Sequence, residues 1–141
     1  MDKSETLEKW EQCKKIGREI INLLSKDFFG GIIDYDMKFL RKRDMKIFGI
    51  TLKYEGLIVD ITVQDRKEYD KPFVYMDRIE THNESRGKGL ATKVLNSFSS
   101  LIKTDCFQHL NVKDMSNGFW AKMMDRYDFI KDKYTTGYMA G

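Results

Sequence analysis

The chain has 141 residues, of which 41% are hydrophobic, 33% charged and 13% aromatic. This composition is typical of one folded globular domain spanning residues 1–141, and it excludes a fibrous or disordered chain. The net charge of +3 is small, so the sequence argues against a nucleic-acid partner.

The cysteines and the hydropathy pattern bear on the cellular compartment. Cys13 and Cys106 are far apart in the sequence and fit neither a disulfide framework nor a set of metal ligands. The first residues carry charges where a signal peptide needs an apolar core, and no stretch approaches the roughly 18 apolar residues of a membrane span. We therefore expect a cytoplasmic protein without a bound metal or a membrane partner.

The first half of the chain predicts one long helix followed by antiparallel strands. Apolar residues recur at three- and four-residue spacing over residues 4–26, and the next glycine pair ends this helix. Short β-prone runs follow: IIDYDMKFL, then MKIFGITLKYEGLIVDITVQ as two strands joined at Glu55-Gly56. Alternating apolar and polar residues in the last run indicate a sheet with one polar face.

The second half predicts strands and helices in alternation. Pro72 opens the strand FVYMDRIET, and helical spacing returns after two further glycines and continues to about Lys103. A short strand FQHLNV, a short helix SNGFWAKMMDRY capped by Ser116 or Asn117, and a terminal strand DFIKDKYTTGYM complete the order. The large side chains at helical spacing are expected in the core: Trp10, Trp120, Met123 and Met124.

These elements predict the fold class α+β (mixed α/β). A central, mostly antiparallel sheet would be flanked by helices, with a long N-terminal helix packed on it. A strand edge exposed near the C-terminus could pair across a dimer, which leaves a homodimer open.

The motif with chemical content is THNESRGKGLATKVL, residues 81–95, between a predicted strand and a predicted helix. A helix N-terminus leaves backbone N–H groups unpaired and carries about half a positive charge, so it stabilises an anion. Gly87 and Gly89 let the backbone approach such an anion, while Arg86 and Lys88, with Lys93 one turn later, add positive charge that suits a diphosphate. The spacing fits neither a P-loop nor a dinucleotide fingerprint. The alternative for an isolated motif of this kind is a plain helix cap.

The segment Arg86-Gly-Lys-Gly-Leu-Ala91 resembles the acyl-CoA signature (Q/R)-x-x-G-x-(G/A) of the GNAT superfamily of N-acetyltransferases. A second block of that superfamily, N-x-x-A-x-x-L-Y-E-K-x-G-F, resembles NGFWAKMMDRYDF, with Asn117 and Phe129 at the matching ends. The two blocks follow the family's order, and the resemblance extends from about Phe73 to the C-terminus. It implies a GNAT-like fold and a transfer of the acetyl group of acetyl-CoA to a primary amine of a small molecule or protein.

The resemblance also implies where acetyl-CoA would bind. Its diphosphate would lie on the backbone amides of one short segment: Arg86, Gly87, Lys88, Gly89, Leu90 and Ala91. Its pantetheine arm would run beside the end of the preceding strand, at Ile79 and Thr81, and would contact Asn117.

Proton transfer needs a base near the amine and a donor near the leaving sulfur. Glu80 is the first candidate base, because strand alternation places it on the face opposite to its two neighbours. Asp77 and His82 are the next candidates, and the alternative for Glu80 is a surface ion pair with a lysine. The general-acid tyrosine of the family falls on Met124, whose thioether cannot donate a proton.

Tyr127, almost one helical turn after Met124, is the candidate acid, and Tyr134 and Tyr138 are further candidates. The departure at Met124 also leaves a second function open. The chain would then be a catalytically weak GNAT-fold protein that binds acetyl-CoA and acts through a protein partner.

Overall fold

The structure is a computed structural model, and it describes residues 3–41, 45–66, 71–82, 89–104, 106–112 and 119–132. In chain order the elements are α1 (Lys3–Asp27), β1 (Ile32–Leu40), β2 (Met45–Tyr54), β3 (Leu57–Asp65), β4 (Phe73–Thr81), α2 (Leu90–Lys103), β5 (Leu110–Val112), α3 (Phe119–Arg126) and β6 (Ile130–Asp132). The strands form one sheet in the order β1-β2-β3-β4-β5-β6. The first four strands pair antiparallel, whereas β4 with β5 and β5 with β6 pair parallel. The predicted α+β class with a mostly antiparallel sheet is confirmed.

The antiparallel strands follow the sequence prediction closely. β1 and β4 have the predicted bounds, and the β2–β3 hairpin turns at Glu55 and Gly56. Both turn residues have positive φ, 46° and 86°, which suits the right-handed twist of a two-residue hairpin. Short-range turn chemistry and residue alternation are therefore enough to define this half of the sheet.

The core lies between one face of this sheet and the helices α1 and α2. Four alternate residues of β3 have no exposed surface: Leu57, Val59, Ile61 and Val63. Gly17 brings α1 close to the sheet, because a Cβ atom there would lie 2.6 Å from the ring of Phe48. The hydroxyl of Ser97 on α2 donates a 2.6 Å hydrogen bond to the carboxylate of Asp27 at the end of α1, which fixes the two helices side by side.

The predicted core side chains on the helices are found in or against the core. Trp120 and Met123 are buried, and Trp10 and Met124 are partly buried and pack against the core. No helix in the described residues is both long enough and apolar enough to cross a membrane.

The last two strands begin later than the sequence predicts. β5 begins at Leu110, three residues later than the predicted start, although Phe107 is buried. β6 begins at Ile130 because residues 128 and 129 form a turn. The apolar pattern indicates that the residues before β5 are buried. In the described residues, however, β5 pairs with β4 only at Val74–Met76. The remainder of the predicted terminal strand, with Tyr134 and Tyr138, lies outside the described residues, as do Ser116 and Asn117.

A β-bulge divides β4 into two parts with opposite alternation. Asp60 of β3 pairs with Arg78, and the next residue, Ile61, pairs with Met76, so Asp77 is the extra residue. An extra residue moves every later side chain to the other face of the sheet. Before the bulge the even-numbered residues face the core, and after it the odd-numbered residues do.

Candidate functional site

The end of β4 and the start of α2 form the region predicted to bind acetyl-CoA. β4 pairs with β5 only over Val74–Met76, then continues to Thr81. Along Arg78–Thr81, within the part of the chain that the structure describes, no strand pairs with the β5 side of β4. Backbone amide and carbonyl groups on that side are thus placed to bind an extended ligand.

α2 starts at a glycine in the left-handed conformation. Gly89 has φ 71° and ψ 19°, and it brings no side chain that could cap the backbone N–H groups of the first turn. A Cβ atom at Gly89 would meet no atom within 4 Å, so the backbone conformation, and not crowding, favours glycine here. Leu90 and Ala91 follow in the first turn of the helix, with Leu90 buried.

The remaining predicted contacts to the coenzyme, Arg86, Gly87, Lys88 and Asn117, lie outside the described residues. Among the described cations, Lys93 lies in the first turn of α2. Its Nζ is 4.8 Å from the ring centroid of Phe28 and 5.9 Å from that of Tyr54, which is cation–π geometry. Positive charge is therefore held where α2 begins.

The two strand residues predicted to line the pantetheine arm lie on the core side of β4. Ile79 pairs with Val59 and Thr81 with Leu57, and both partners are fully buried. Glu80 pairs with Ile58 and lies on the opposite face, as the alternation predicts. Its side chain is exposed, so solvent and a substrate amine can both reach its carboxylate.

Glu80 belongs to a row of charges on the face of the sheet away from α1 and α2. Its Oε2 is 3.7 Å from Nη1 of Arg78, and Nε of Arg78 donates a 2.7 Å hydrogen bond to Asp60 Oδ2. Asp60 Oδ1 in turn accepts a 2.7 Å hydrogen bond from Thr51 Oγ1. The expected alternative of a surface ion pair is thus realised with an arginine. Because Arg78 contacts Asp60 more closely, the carboxylate of Glu80 is the less tightly held of the two.

The other candidate bases are also on the surface. Asp77 is exposed at the bulge. His82 is exposed after the end of β4, and its backbone N–H donates a 2.9 Å hydrogen bond to the carbonyl of Gly56.

Tyr127, the candidate acid, is oriented towards α2. Its hydroxyl donates a hydrogen bond to Oδ1 of Asn96, an exposed residue of α2. Since α2 packs on the core face of the sheet and Glu80 lies on the other face, the structure does not bring Tyr127 and Glu80 together. Met124 is partly buried against the core, so this position contributes packing.

An open depression of about 570 Å³ lies at the same end of the sheet as Gly89. Its wall includes the β2–β3 turn, the connection from α1 to β1, and His82. Lys53 and Glu55 place one positive and one negative side chain in its wall. Tyr54 also lines the depression, and its ring contacts Nζ of Lys93.

Sequence reasoning missed three residues around β4. Asp60 and Arg78 flank Glu80, and Asn111 on β5 is buried and donates a 3.0 Å hydrogen bond to the carbonyl of Val74. Alternation along β3 and β4 could have placed the first two on a polar face. Their contact depends on the strand register and the bulge, neither of which a single sequence reveals.

Among the described residues, no group of three or more histidine, cysteine, aspartate or glutamate side chains could hold a metal ion. No protein-family model, curated protein or solved structure matches the chain. Evidence for its function therefore comes from its own residues.

Proposed function

We propose that the chain is a GNAT-type N-acetyltransferase that transfers the acetyl group of acetyl-CoA to a primary amine of a small molecule or protein. The observation that carries this proposal is the part of β4 that continues beyond its pairing with β5 in the described residues. After Met76, the last residue paired with β5 there, β4 has a bulge at Asp77 and continues to Thr81, and α2 starts at Gly89. An open strand edge that leads to a helix N-terminus suits a ligand with an amide-bearing arm and a diphosphate.

Each part of this arrangement matches one part of the coenzyme. The pantetheine arm carries two amides, which the backbone groups of Arg78–Thr81 would bind in the manner of an added strand. The backbone N–H groups at the start of α2, next to Gly89, would bind the diphosphate because the helix dipole favours an anion there. Lys93 would add positive charge to the same region.

When bound, acetyl-CoA supplies an acetyl group activated as a thioester, whose carbonyl carbon the amine attacks while the carbon–sulfur bond breaks. Glu80 accepts the proton that the amine nitrogen loses, because its carboxylate is exposed beside the open edge of β4. Arg78 and Asp60 hold Glu80 near this edge through their ion pair and hydrogen bond. The coenzyme sulfur takes its proton from solvent.

One observation favours a binding protein without efficient turnover. Tyr127 is hydrogen-bonded to Asn96 on α2, and Met124 occupies the position of the family's general acid. Neither of these two residues is therefore placed to donate a proton beside Glu80. In this second function the same β4–α2 region binds acetyl-CoA, and the chain acts through a protein partner.

Calorimetric titration with acetyl-CoA tests the site that both functions share. Gly89→Val should weaken binding at least tenfold, since a side chain at the helix start would obstruct the diphosphate and strain the left-handed backbone. Gly30→Val is the matched control. Gly30 also has positive φ, 92°, and an open environment; it lines the depression but lies outside the backbone segments proposed to bind the coenzyme. Failure of the unaltered chain to bind acetyl-CoA would reject both functions.

Thiol release over a panel of amines distinguishes the two functions. Glu80→Gln should lower turnover by about 10²-fold or more, the range of general-base catalysis, with little change in acetyl-CoA affinity. Glu8→Gln, at an exposed residue of α1, is the control for the loss of one carboxylate. Binding without thiol release for any amine would support the binding protein, and an unchanged rate for Glu80→Gln would remove Glu80 as the base.

A further inference from the structure

β1 presents an apolar row at the edge of the sheet. β1 pairs with β2 on one side, and within the described ranges nothing pairs with its other side. Tyr35 and Met37 pair with the buried Ile50 and Phe48, so they lie on the core side of the sheet. Because α1 packs on β2 and β3, it leaves this extension of the core face uncovered.

The exposure of this row is large for aromatic and aliphatic side chains. Tyr35 is 61% exposed, Met37 55% and Phe39 51%. The strand has nine residues, no proline and a regular register with β2. A long, regular and apolar edge of this kind favours pairing with another strand.

The other face of β1 carries the charges that would select a partner. Asp34, Asp36 and Lys38 alternate with the apolar row, and Nζ of Lys38 is 3.4 Å from Oδ2 of Asp36 in the single chain. When two identical strands pair antiparallel about a two-fold axis, one residue lies opposite its own copy and the others pair symmetrically around it. The choice of central residue therefore decides which charges meet.

Only one centre among residues 34–38 avoids contact between like charges. Centres at Asp34, Asp36 or Lys38 place that charge opposite itself, and a centre at Tyr35 places the two aspartates opposite each other. A centre at Met37 instead places Asp36 opposite Lys38 of the second copy, twice by symmetry. Opposite charges directly across a strand pair stabilise it, and like charges destabilise it.

The same centre also joins the apolar rows. Tyr35 would lie opposite Phe39 of the second copy, and Met37 would lie opposite itself on the axis. Aromatic pairs across strands contribute roughly 0.2–1 kcal/mol each relative to alanine, so both faces of β1 favour this register.

We propose that two copies of the chain pair antiparallel through β1, with the two-fold axis at Met37, and form one continuous sheet. The partner is thus a second copy of this chain. β1 and β4 are separated by two strands, so the interface lies apart from the β4–α2 region and does not depend on the proposed function.

Sedimentation equilibrium or light scattering tests the dimer directly. The expected mass is twice the 16.7 kDa of one chain. Met37→Lys should reduce the mass to that of one chain, since it places two positive charges on the axis. Ile32→Lys is the matched control, because it makes the same change on the same strand, at a residue 62% exposed and outside the paired stretch.

A charge exchange tests the register. Asp36→Lys and Lys38→Asp should each give single chains, since each places like charges across the interface. An equimolar mixture of the two variants should recover the dimer, because each new charge then meets its opposite on the other variant. This recovery cannot come from the ion pair within one chain, which stays broken in both variants.

Circular dichroism and acetyl-CoA titration of every variant keep folding and ligand binding separate from assembly. A single-chain mass for the unaltered protein, a dimer that persists in Met37→Lys, or a mixture that stays monomeric would each overturn the proposal. Recovery in the mixture also shows that both variants fold.

Discussion

The antiparallel half of the sheet and its parallel half differ in the number of residues that each pair of strands joins. In the described residues, β1 with β2 and β2 with β3 are each paired over nine residues, whereas β4 with β5 and β5 with β6 are each paired over three. The turn at Glu55 and Gly56 joins β2 and β3 directly, but each parallel pair needs a connection that includes a helix. β4 belongs to both halves, and its last residues, Arg78–Thr81, lie beyond the described pairing with β5. The candidate site thus arises at the boundary between the two halves.

The largest loss of stability is expected from a change that separates α1 from the antiparallel half of the sheet. Gly17→Leu should lower the free energy of unfolding by about 3 kcal/mol, because its side chain would overlap the ring of Phe48. Thermal or urea unfolding measures this loss. Ser25→Leu, an exposed change on the same helix, should alter stability by no more than about 0.5 kcal/mol.

The contact itself is tested by a second substitution. Phe48→Leu makes room at Gly17, so the double variant should lose less stability than the sum of the single variants. Additive losses would show that Gly17 is needed for a reason other than its approach to Phe48.

A smaller loss of stability is expected from a substitution in the parallel half of the sheet. Asn111→Ala should lower the free energy of unfolding by about 1–3 kcal/mol, because it removes a buried hydrogen bond to the carbonyl of Val74. Amide hydrogen exchange should speed up in β5 and at Val74–Met76 and stay unchanged in β2 and β3. Ser100→Ala, at an exposed residue of α2, is the control. Equal loss of protection across the whole sheet would contradict two separable halves.

The two cysteines allow local opening to be measured in α1 and in the connection from α2 to β5 without a change in stability. Burial, together with the nearby carboxylate of Asp65, raises the pKa of Cys13 in α1 to about 12. Burial also raises the pKa of Cys106, in the connection from α2 to β5, but this residue is only half-buried. A raised pKa keeps a thiol protonated at neutral pH, and its reactive thiolate grows as the pH rises.

Alkylation at neutral pH should therefore modify Cys106 through local opening and Cys13 only through global unfolding. Mass spectrometry over time measures both alkylation rates. In Cys106→Ser only Cys13 can react, so its slower rate is measured alone. Equal rates at the two cysteines would show that α1 opens as readily as the parallel half.

Sequence patterns predicted the antiparallel half because its information is local. The alternation in β3, the Glu55-Gly56 turn and the helical spacing in α1 each lie within a few residues of one another. The patterns placed the starts of β5 and β6 too early, since an apolar run marks burial and does not show which residues find a partner strand. Phe107 is such a residue, buried but outside the strand.

The candidate site was predictable in its parts and not in its arrangement. The position of Gly89 between a strand and a helix followed from the motif, and the face of Glu80 followed from alternation. The contact of Tyr127 with Asn96 joins residues 31 positions apart, and only chain packing determines such a pair. The alignment of Arg78 with Asp60 likewise needed the bulge at Asp77.

The sequence by itself determined the elements, their order and the charged and apolar rows of β1, because residue spacing sets which side chains share a face. The tertiary structure determined that β4 continues beyond its described pairing with β5 and that α1 packs mainly on β2 and β3, leaving Tyr35, Met37 and Phe39 exposed. Both outcomes depend on how many residues of one element contact another element. This number belongs to the pair of elements and cannot be read from the sequence of either one. The open edge of β4 and the exposed row on β1 are the results.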